Sequence, residues 1–197
     1  MADRRSGAAG APDQGRTTAA RAAAIAELLL LEISNLLELY SKRETFTADV
    51  IAGDSRLVSV PPPSSQLDTP DKLWRLHAAL IQCRGLMERA IAKEDEEMGS
   101  GTGEYETLRK MVKERLSFLI NMTGELVKAV DGPAMMMPSL NDSVEPDSLT
   151  LFELKLWVFR VFTEVDYWAK TAVTILQALP KERVRTTRHR STRSSRR

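Results

Sequence analysis

Cysteine and histidine are scarce in this chain. Its 197 residues include one cysteine, Cys83, and two histidines, His77 and His189. A single thiol cannot form a disulfide within the chain, so a packed core has to hold the fold together. Three such side chains are also too few for the four Cys and His ligands of a structural zinc site. We therefore expect no metal centre and no cofactor.

Aromatic residues and long apolar runs are also few. Only 6% of residues are aromatic, whereas 43% are hydrophobic and 28% are charged. This balance favours one soluble, all-α domain over a β-sandwich. The most apolar stretch, residues 22–31, is interrupted by Glu27 and is too short to span a membrane. Residues 1–14 lack the apolar segment of a secretory signal, so we expect cytoplasmic storage.

No set of residues has the pattern of a catalytic site. The glycine-rich residues 99–103 lack the lysine of a phosphate-binding loop and follow no strand. His77 comes one position after Leu76 of a helical core row, which is typical of a partly exposed or hydrogen-bonded structural histidine. The acidic residues 94–97 are expected to be solvated charges in a loop at the end of a helix. We therefore expect that the protein is not an enzyme.

Positive charge is concentrated at the C-terminus. Residues 181–197 contain eight basic residues and one acid, so this segment carries +7 although the whole chain carries only +1. Because it has almost no apolar side chains, we expect it to be disordered. It could be an arm for nuclear import or nucleic acid, a patch for heparin and acidic surfaces, or a solubilising tail without a partner.

Four long segments have the periodicity of amphipathic helices. They are expected at residues 18–42, from Thr69 to about residue 93, from about residue 103 to residue 130, and from Thr150 to Leu179. Pro70 suits a first helical turn, Thr150 and Glu153 have capping-box spacing, and Gly132 and Pro133 stop the third helix. The clearest core rows are Leu73, Leu76, Leu80, Cys83, Met87 and Ala90 in the second helix, and Leu154, Val158, Val161, Val165, Trp168, Ala172, Ile175 and Leu179 in the fourth.

The connection lengths predict how the helices are ordered. Each helix is roughly 40 Å long at 1.5 Å per residue, so a connection that returns to the same end needs about a dozen residues. Residues 43–68 and 132–149 are long enough, whereas residues 94–103 are not. This pattern predicts an up-up-down-down, long-chain four-helix bundle with two long crossover loops. The domain would cover residues 17–180, between a flexible leader at residues 1–16 and the disordered tail.

An apolar strip at the start of the fourth helix points away from the core row. At about 100° per residue, Phe152 lies roughly 160° from Leu154, and Lys155 lies roughly 100° from it. Leu156 and Phe159 continue the strip, four and seven residues after Phe152. Such a strip is typical of an interaction surface, although a crossover loop or a wide bundle interface that covers all three side chains would also explain it.

The same helix carries a resemblance to a cytokine family. Residues 151–157, LFELKLW, followed by Glu164 and Trp168, resemble the last helix of the interleukin-6 family, in particular its ciliary neurotrophic factor branch. Phe152 and Lys155 match a Phe-x-x-Lys element shared by family members that bind the leukaemia inhibitory factor receptor. The resemblance covers about residues 151–168 and is only architectural elsewhere, as in a divergent, non-mammalian member.

The resemblance implies a site for the leukaemia inhibitory factor receptor. Phe152 would be the buried anchor of that contact and Lys155 an orienting charge. Leu156 and Phe159 would be accessory contacts.

Two further receptor surfaces are implied by the resemblance. An alpha receptor of the ciliary neurotrophic factor type would contact the first crossover and the end of the last helix, where Thr171 stands at the position of a family arginine and Lys170 precedes it. Glycoprotein 130 would bind the exposed faces of the first and third helices.

The leading hypothesis is a neurotrophic cytokine that leaves the cell by non-classical release. Outside the cell it would bring two signalling receptors together, whose associated kinases then activate signal transducers. The alternative is an intracellular helical interaction module whose basic C-terminal arm binds nucleic acid or acidic membrane surfaces.

Overall fold

A computed structural model of the protein describes residues 11–45, 56–99, 101–130 and 150–179, with only the backbone given for residues 11–17. Within these ranges the chain forms four helices and no strand. The helices are α1 (Ala11–Glu44), α2 (Thr69–Met98), α3 (Glu104–Ala129) and α4 (Leu151–Ala178). The predicted tail, the leader up to residue 10 and residues 131–149 of the second crossover lie outside the described residues.

The helix ends follow from local hydrogen bonds. At the start of α2 the Asp68 carboxylate accepts a hydrogen bond from the Asp71 N–H at 2.9 Å, and Pro70 occupies the first turn. Gly99 ends α2 with a positive φ of 78°, a conformation that favours glycine. α2 therefore continues past residue 93, and the acidic residues 94–97 are helical instead of forming a loop.

The start of α1 also differs from the prediction. The helix begins at Ala11, seven residues before the expected position, so residues 11–16 belong to α1 and not to the leader. Five of the residues 19–24 are alanines, the strongest helix former, and helix runs through them without interruption.

Each of the first two helices packs against each of the last two, so that α1 and α2 both contact α3 and α4. The hydrogen bonds that join α1 to α4 include Gln177 Nε2 to Glu27 Oε1 at 2.7 Å, Ser34 Oγ to Asp166 Oδ1 at 3.3 Å, and Tyr40 OH to the Lys155 carbonyl at 3.1 Å. α1 and α4 are therefore antiparallel.

The core between the helices confirms the two predicted rows. Every member of the α2 row is buried, and so is every member of the α4 row except Leu179, which is half-buried. The largest fully buried side chains are Trp168 of the α4 row, Phe162 on the same helix and Tyr40 on α1. Burial of one such side chain contributes about 1.5–3 kcal/mol to folding, which is how a chain without disulfides holds this bundle.

The part of the first connection that precedes α2 is packed onto the bundle. Val58 and Val60 are buried. Between them the Ser59 N–H donates to Gln82 Oε1 at 2.9 Å. The Arg56 guanidinium lies 3.6 Å from the centre of the Tyr167 ring, which ties this segment to α4 as well.

Candidate functional site

The first turn of α4 presents Leu151 and Phe152 to solvent, and Phe152 is 58% exposed. A capping box fixes this turn: the Glu153 N–H donates to Thr150 Oγ1 at 3.3 Å, and the Thr150 N–H donates to Glu153 Oε2 at 2.8 Å. The hydrogen bond from the Thr150 backbone lowers the pKa of Glu153. An exposed aromatic ring is therefore held on a well-defined turn.

Lys155 lies one helical turn after Phe152 but is bound to α1. Its Nζ is 2.5 Å from Glu44 Oε2, and its carbonyl accepts the hydrogen bond from Tyr40 OH. Tyr40 and Glu44 are four residues apart and so share one face of α1. Lys155 thus joins the first turns of α4 to the last turns of α1.

The remainder of the predicted strip is not an exposed surface. Phe159 is only 7% exposed, and Leu156 is half-buried. Because α4 contacts α1 and α2 as well as the first connection, its buried arc is wider than the single row that includes Leu154 and Val158. The expectation that Phe159 belongs to an exposed strip is therefore wrong, and a wide bundle interface accounts for its burial.

The later residues of the family resemblance have an internal role. The Trp168 Nε1–H donates to Glu164 Oε1 at 3.0 Å, and both side chains are buried. This hydrogen bond satisfies the indole inside the core. Of the residues that carry the resemblance, those that lie open on the surface are Leu151, Phe152 and Glu153.

A buried ion pair lies between α2 and α3. Glu94 is 2% exposed, accepts hydrogen bonds from Tyr105 OH at 2.8 and 2.7 Å, and binds Arg109 at 3.0 Å. Arg109 also pairs with Asp95. Burial raises the pKa of Glu94, against the opposing effects of Tyr105 and Arg109. The prediction that Glu94 is a solvated charge is therefore wrong, because Arg109 gives it a partner inside the bundle.

Stacked rings connect this ion pair to the last turns of α1, which contact the start of α4. Tyr105 stacks on Tyr40 with ring centres 5.8 Å apart, and the Arg43 guanidinium lies 4.9 Å from the Tyr105 ring centre. Arg43 Nε is in turn 3.2 Å from Glu44 Oε1. Burial raises the pKa of both tyrosines and keeps their hydroxyls protonated. A polar network of all four helices therefore reaches Lys155.

Lys170 and Thr171 line a cleft of about 560 Å³ at the end of α4. The opposite wall comes from residues 63–65 of the first connection and from Lys72 of α2. Lys72 Nζ donates to the Ser65 carbonyl at 3.2 Å, which holds that wall in place. The end of the last helix and the first crossover, named separately by the family resemblance, thus form one cleft.

Large apolar side chains are also exposed on α1 and α3. Leu28, Leu31 and Phe118 are exposed, Phe118 to 55%. The Arg115 guanidinium binds the Glu32 carboxylate at 2.8 Å between the two helices. Leu28 precedes Glu32 by one turn, and Phe118 follows Arg115 by one turn.

Along the helix axes, these three positions lie towards the same end of the bundle from the ion pair. Tyr40 contacts Tyr105 and Glu32 contacts Arg115, so α1 and α3 are antiparallel. We name Leu28, Leu31 and Phe118 the α1–α3 patch. No motif marks it in the sequence; only the pairing of the two helices brings it together.

His77 has a structural environment. Its Nδ1 is 3.0 Å from the buried hydroxyl of Thr123, which donates to the Leu119 carbonyl at 2.9 Å. Burial lowers the pKa of His77. This is the hydrogen-bonded histidine that the sequence predicts.

The described residues contain no group of three or more His, Cys, Asp or Glu side chains placed to hold a metal ion. Among those same residues, no helix has both the length and the apolar character needed to cross a membrane. No family model matches the chain, and no curated protein sequence is significantly similar to it. The resemblance to the interleukin-6 family therefore rests on the α4 residues named above.

Proposed function

We propose that this protein is a long-chain four-helix cytokine that brings the leukaemia inhibitory factor receptor and glycoprotein 130 together outside the cell. The observation that carries the proposal is Phe152, an aromatic ring 58% exposed on a capped helical turn. An exposed ring of this size is a common anchor at protein interfaces, where it is buried by the partner. The matching Lys155 follows one turn later.

An up-up-down-down order of the helices belongs to the same proposal. It is supported by the antiparallel packing of α1 on α4, in which Gln177 contacts Glu27 and Lys155 contacts Tyr40. The contacts of α2 with α3 run in opposite directions too, since His77 meets Thr123 and Arg109 meets Glu94. Two long crossovers are required to connect helices in this order.

The α1–α3 patch is the proposed contact for glycoprotein 130. In the family resemblance that receptor binds exposed faces of the first and third helices, and the patch consists of exposed apolar side chains on those two helices. The Glu32–Arg115 ion pair at its border would form part of a polar rim.

The cleft that contains Lys170 and Thr171 is the proposed alpha-receptor contact. Two hydroxyl-bearing helix positions, Thr171 and Thr174, and the ammonium of Lys170 line it. Both hydroxyls donate to carbonyls one turn earlier, so their oxygens remain available as acceptors for a partner.

Binding of the purified chain to soluble ectodomains of the two receptors tests the proposal, with Phe152→Ala and Phe118→Ala as matched variants. The two rings are almost equally exposed but lie on different helices. Phe152→Ala should weaken binding to the leukaemia inhibitory factor receptor by at least about 2 kcal/mol, roughly thirtyfold, and leave glycoprotein 130 binding unchanged. Phe118→Ala should do the reverse.

Absence of wild-type binding to either ectodomain would contradict the proposal. A uniform loss for both receptors in Phe152→Ala, together with a large fall in melting temperature, would instead mean that the ring supports the fold.

A further inference from the structure

We infer that Lys155 is a positioning residue rather than a direct receptor contact, and that Glu44 acts with it. This inference rests on the proposed function. The Lys155 Nζ lies 2.5 Å from the Glu44 carboxylate, and the Glu44 side chain is only 6% exposed. The Lys155 side chain is 27% exposed. Its positive charge is therefore already balanced from within the bundle.

A second contact fixes the same residue. Tyr40, which is fully buried, donates its hydroxyl proton to the Lys155 carbonyl. Glu44 and Tyr40 stand one turn apart on α1, so α1 holds Lys155 at both its backbone and its ammonium. Arg43 contacts Glu44 and the Tyr105 ring, which extends the support to α3.

In this arrangement Lys155 positions the exposed ring of Phe152. Phe152 precedes it by one helical turn, so anchoring Lys155 to α1 fixes the start of α4 and with it the direction of the exposed ring. A ring presented in one orientation loses less conformational entropy when a partner buries it. Glu44, far from α4 in the sequence, thereby supports the receptor-binding surface of this protein without touching the receptor.

The two roles of Lys155 give opposite results when Glu44 loses its charge. If the ammonium contacts the receptor, Glu44→Gln releases it from a competing carboxylate, and receptor binding stays the same or tightens. If the ammonium positions Phe152, Glu44→Gln and Lys155→Gln break the same contact and weaken binding alike.

The test is a double-mutant cycle on the soluble leukaemia inhibitory factor receptor ectodomain. We expect Glu44→Gln and Lys155→Gln each to weaken binding by about tenfold and the double variant by no more than about tenfold, because both remove one interaction. Lys155→Arg, which keeps the ion pair, should stay within about twofold of the wild type. Glycoprotein 130 binding should not change in any of these variants.

Glu38→Gln is the matched control. Glu38 pairs with Lys42 at 2.6 Å on the same helix, but both side chains are well exposed. Its loss should leave binding to both receptors unchanged. Equal or tighter receptor binding by Glu44→Gln, with weaker binding by Lys155→Gln, would overturn the inference in favour of direct contact.

A measurement without receptor separates this inference from the proposed function. An amine-reactive reagent, followed by mass spectrometry, should modify Lys155 more slowly than Lys42 in the wild type. Glu44→Gln should raise the rate at Lys155 several-fold, while Glu38→Gln leaves Lys155 unchanged. Equal rates at Lys155 in wild type and Glu44→Gln overturn the inference. If Lys155 is labelled slowly but the wild type binds neither receptor, the ion pair with Glu44 is supported and the proposed function is overturned.

Discussion

Replacing Arg109 by methionine removes a guanidinium from the buried ion pair while keeping an unbranched side chain of similar length. The Glu94 carboxylate, 2% exposed, would then retain the Tyr105 hydroxyl as its hydrogen-bond donor. Breaking a buried pair by removing one partner costs about 3–5 kcal/mol. Arg109 Nε has no hydrogen-bond partner among the residues that the structure describes, so its removal offsets part of this cost. We therefore expect the free energy of unfolding to fall by about 3 kcal/mol.

The assay is urea denaturation followed by helical circular dichroism, with a thermal melt beside it. For a chain of this size a loss of about 3 kcal/mol corresponds to a fall in melting temperature of roughly 6–12 °C. Lys128→Met is the control, because Lys128 and Glu125 form an exposed ion pair on the same helix. That change should cost less than about 0.5 kcal/mol.

The size of the effect should depend on pH through Glu94. Burial raises the pKa of this carboxyl above its ordinary value of 4.5, so the folded chain holds the proton more tightly than the unfolded chain. The contribution of Glu94 to stability therefore falls as pH rises from that value through the raised pKa. Arg109 lowers the pKa of Glu94, so its removal raises this pKa further and extends to higher pH the range over which stability falls. The Arg109→Met variant should lose more stability at pH 7 than at pH 4, and a loss below about 0.5 kcal/mol at both pH values would refute the reasoning.

Three other outcomes follow from burial and charge. Leu80→Ala and Val165→Ala, both at fully buried positions, should each lower the free energy of unfolding by about 1–5 kcal/mol in denaturant titrations; values typical of surface sites would contradict the core rows. Phe159→Ala should cost about 3 kcal/mol or more, whereas Phe152→Ala should cost less than about 0.5 kcal/mol, and similar melting temperatures for the two variants would be inconsistent with their different burial. Deletion of residues 181–197 should leave receptor binding unchanged, whereas loss of a steeply salt-dependent binding to nucleic acid or acidic vesicles would favour the alternative function.

The existence of the four helices and their core rows could be predicted from the sequence because they depend on local patterns, whereas the start of α1 and the end of α2 differ from the expected positions. The capping box needs only the Thr150 and Glu153 side chains and the backbone between them, so its spacing in the sequence is sufficient. The same holds for Leu80 and Val165, whose burial follows from periodicity. The wrong assignment of Phe159 arose because a single row underestimates the buried arc of a helix that contacts several neighbours.

The buried charges could not be predicted in this way. Glu94 lies in an acidic run that is typical of solvated helix ends, and its burial depends on Arg109, which lies on a different helix. Glu44 and Lys155 are separated by more than one hundred residues, and only the packing of α1 on α4 brings them together. The α1–α3 patch has the same origin, since Phe118 joins Leu28 and Leu31 only through helix pairing.

Assembly of a ternary complex tests the central claim most directly. The wild-type chain, mixed with both soluble receptor ectodomains, should elute from a sizing column as one complex that contains all three proteins. The Phe152→Ala variant should form a complex with glycoprotein 130 but not with the leukaemia inhibitory factor receptor. The Phe118→Ala variant should form a complex with the leukaemia inhibitory factor receptor but not with glycoprotein 130. A wild-type chain that elutes separately from both ectodomains would contradict the account.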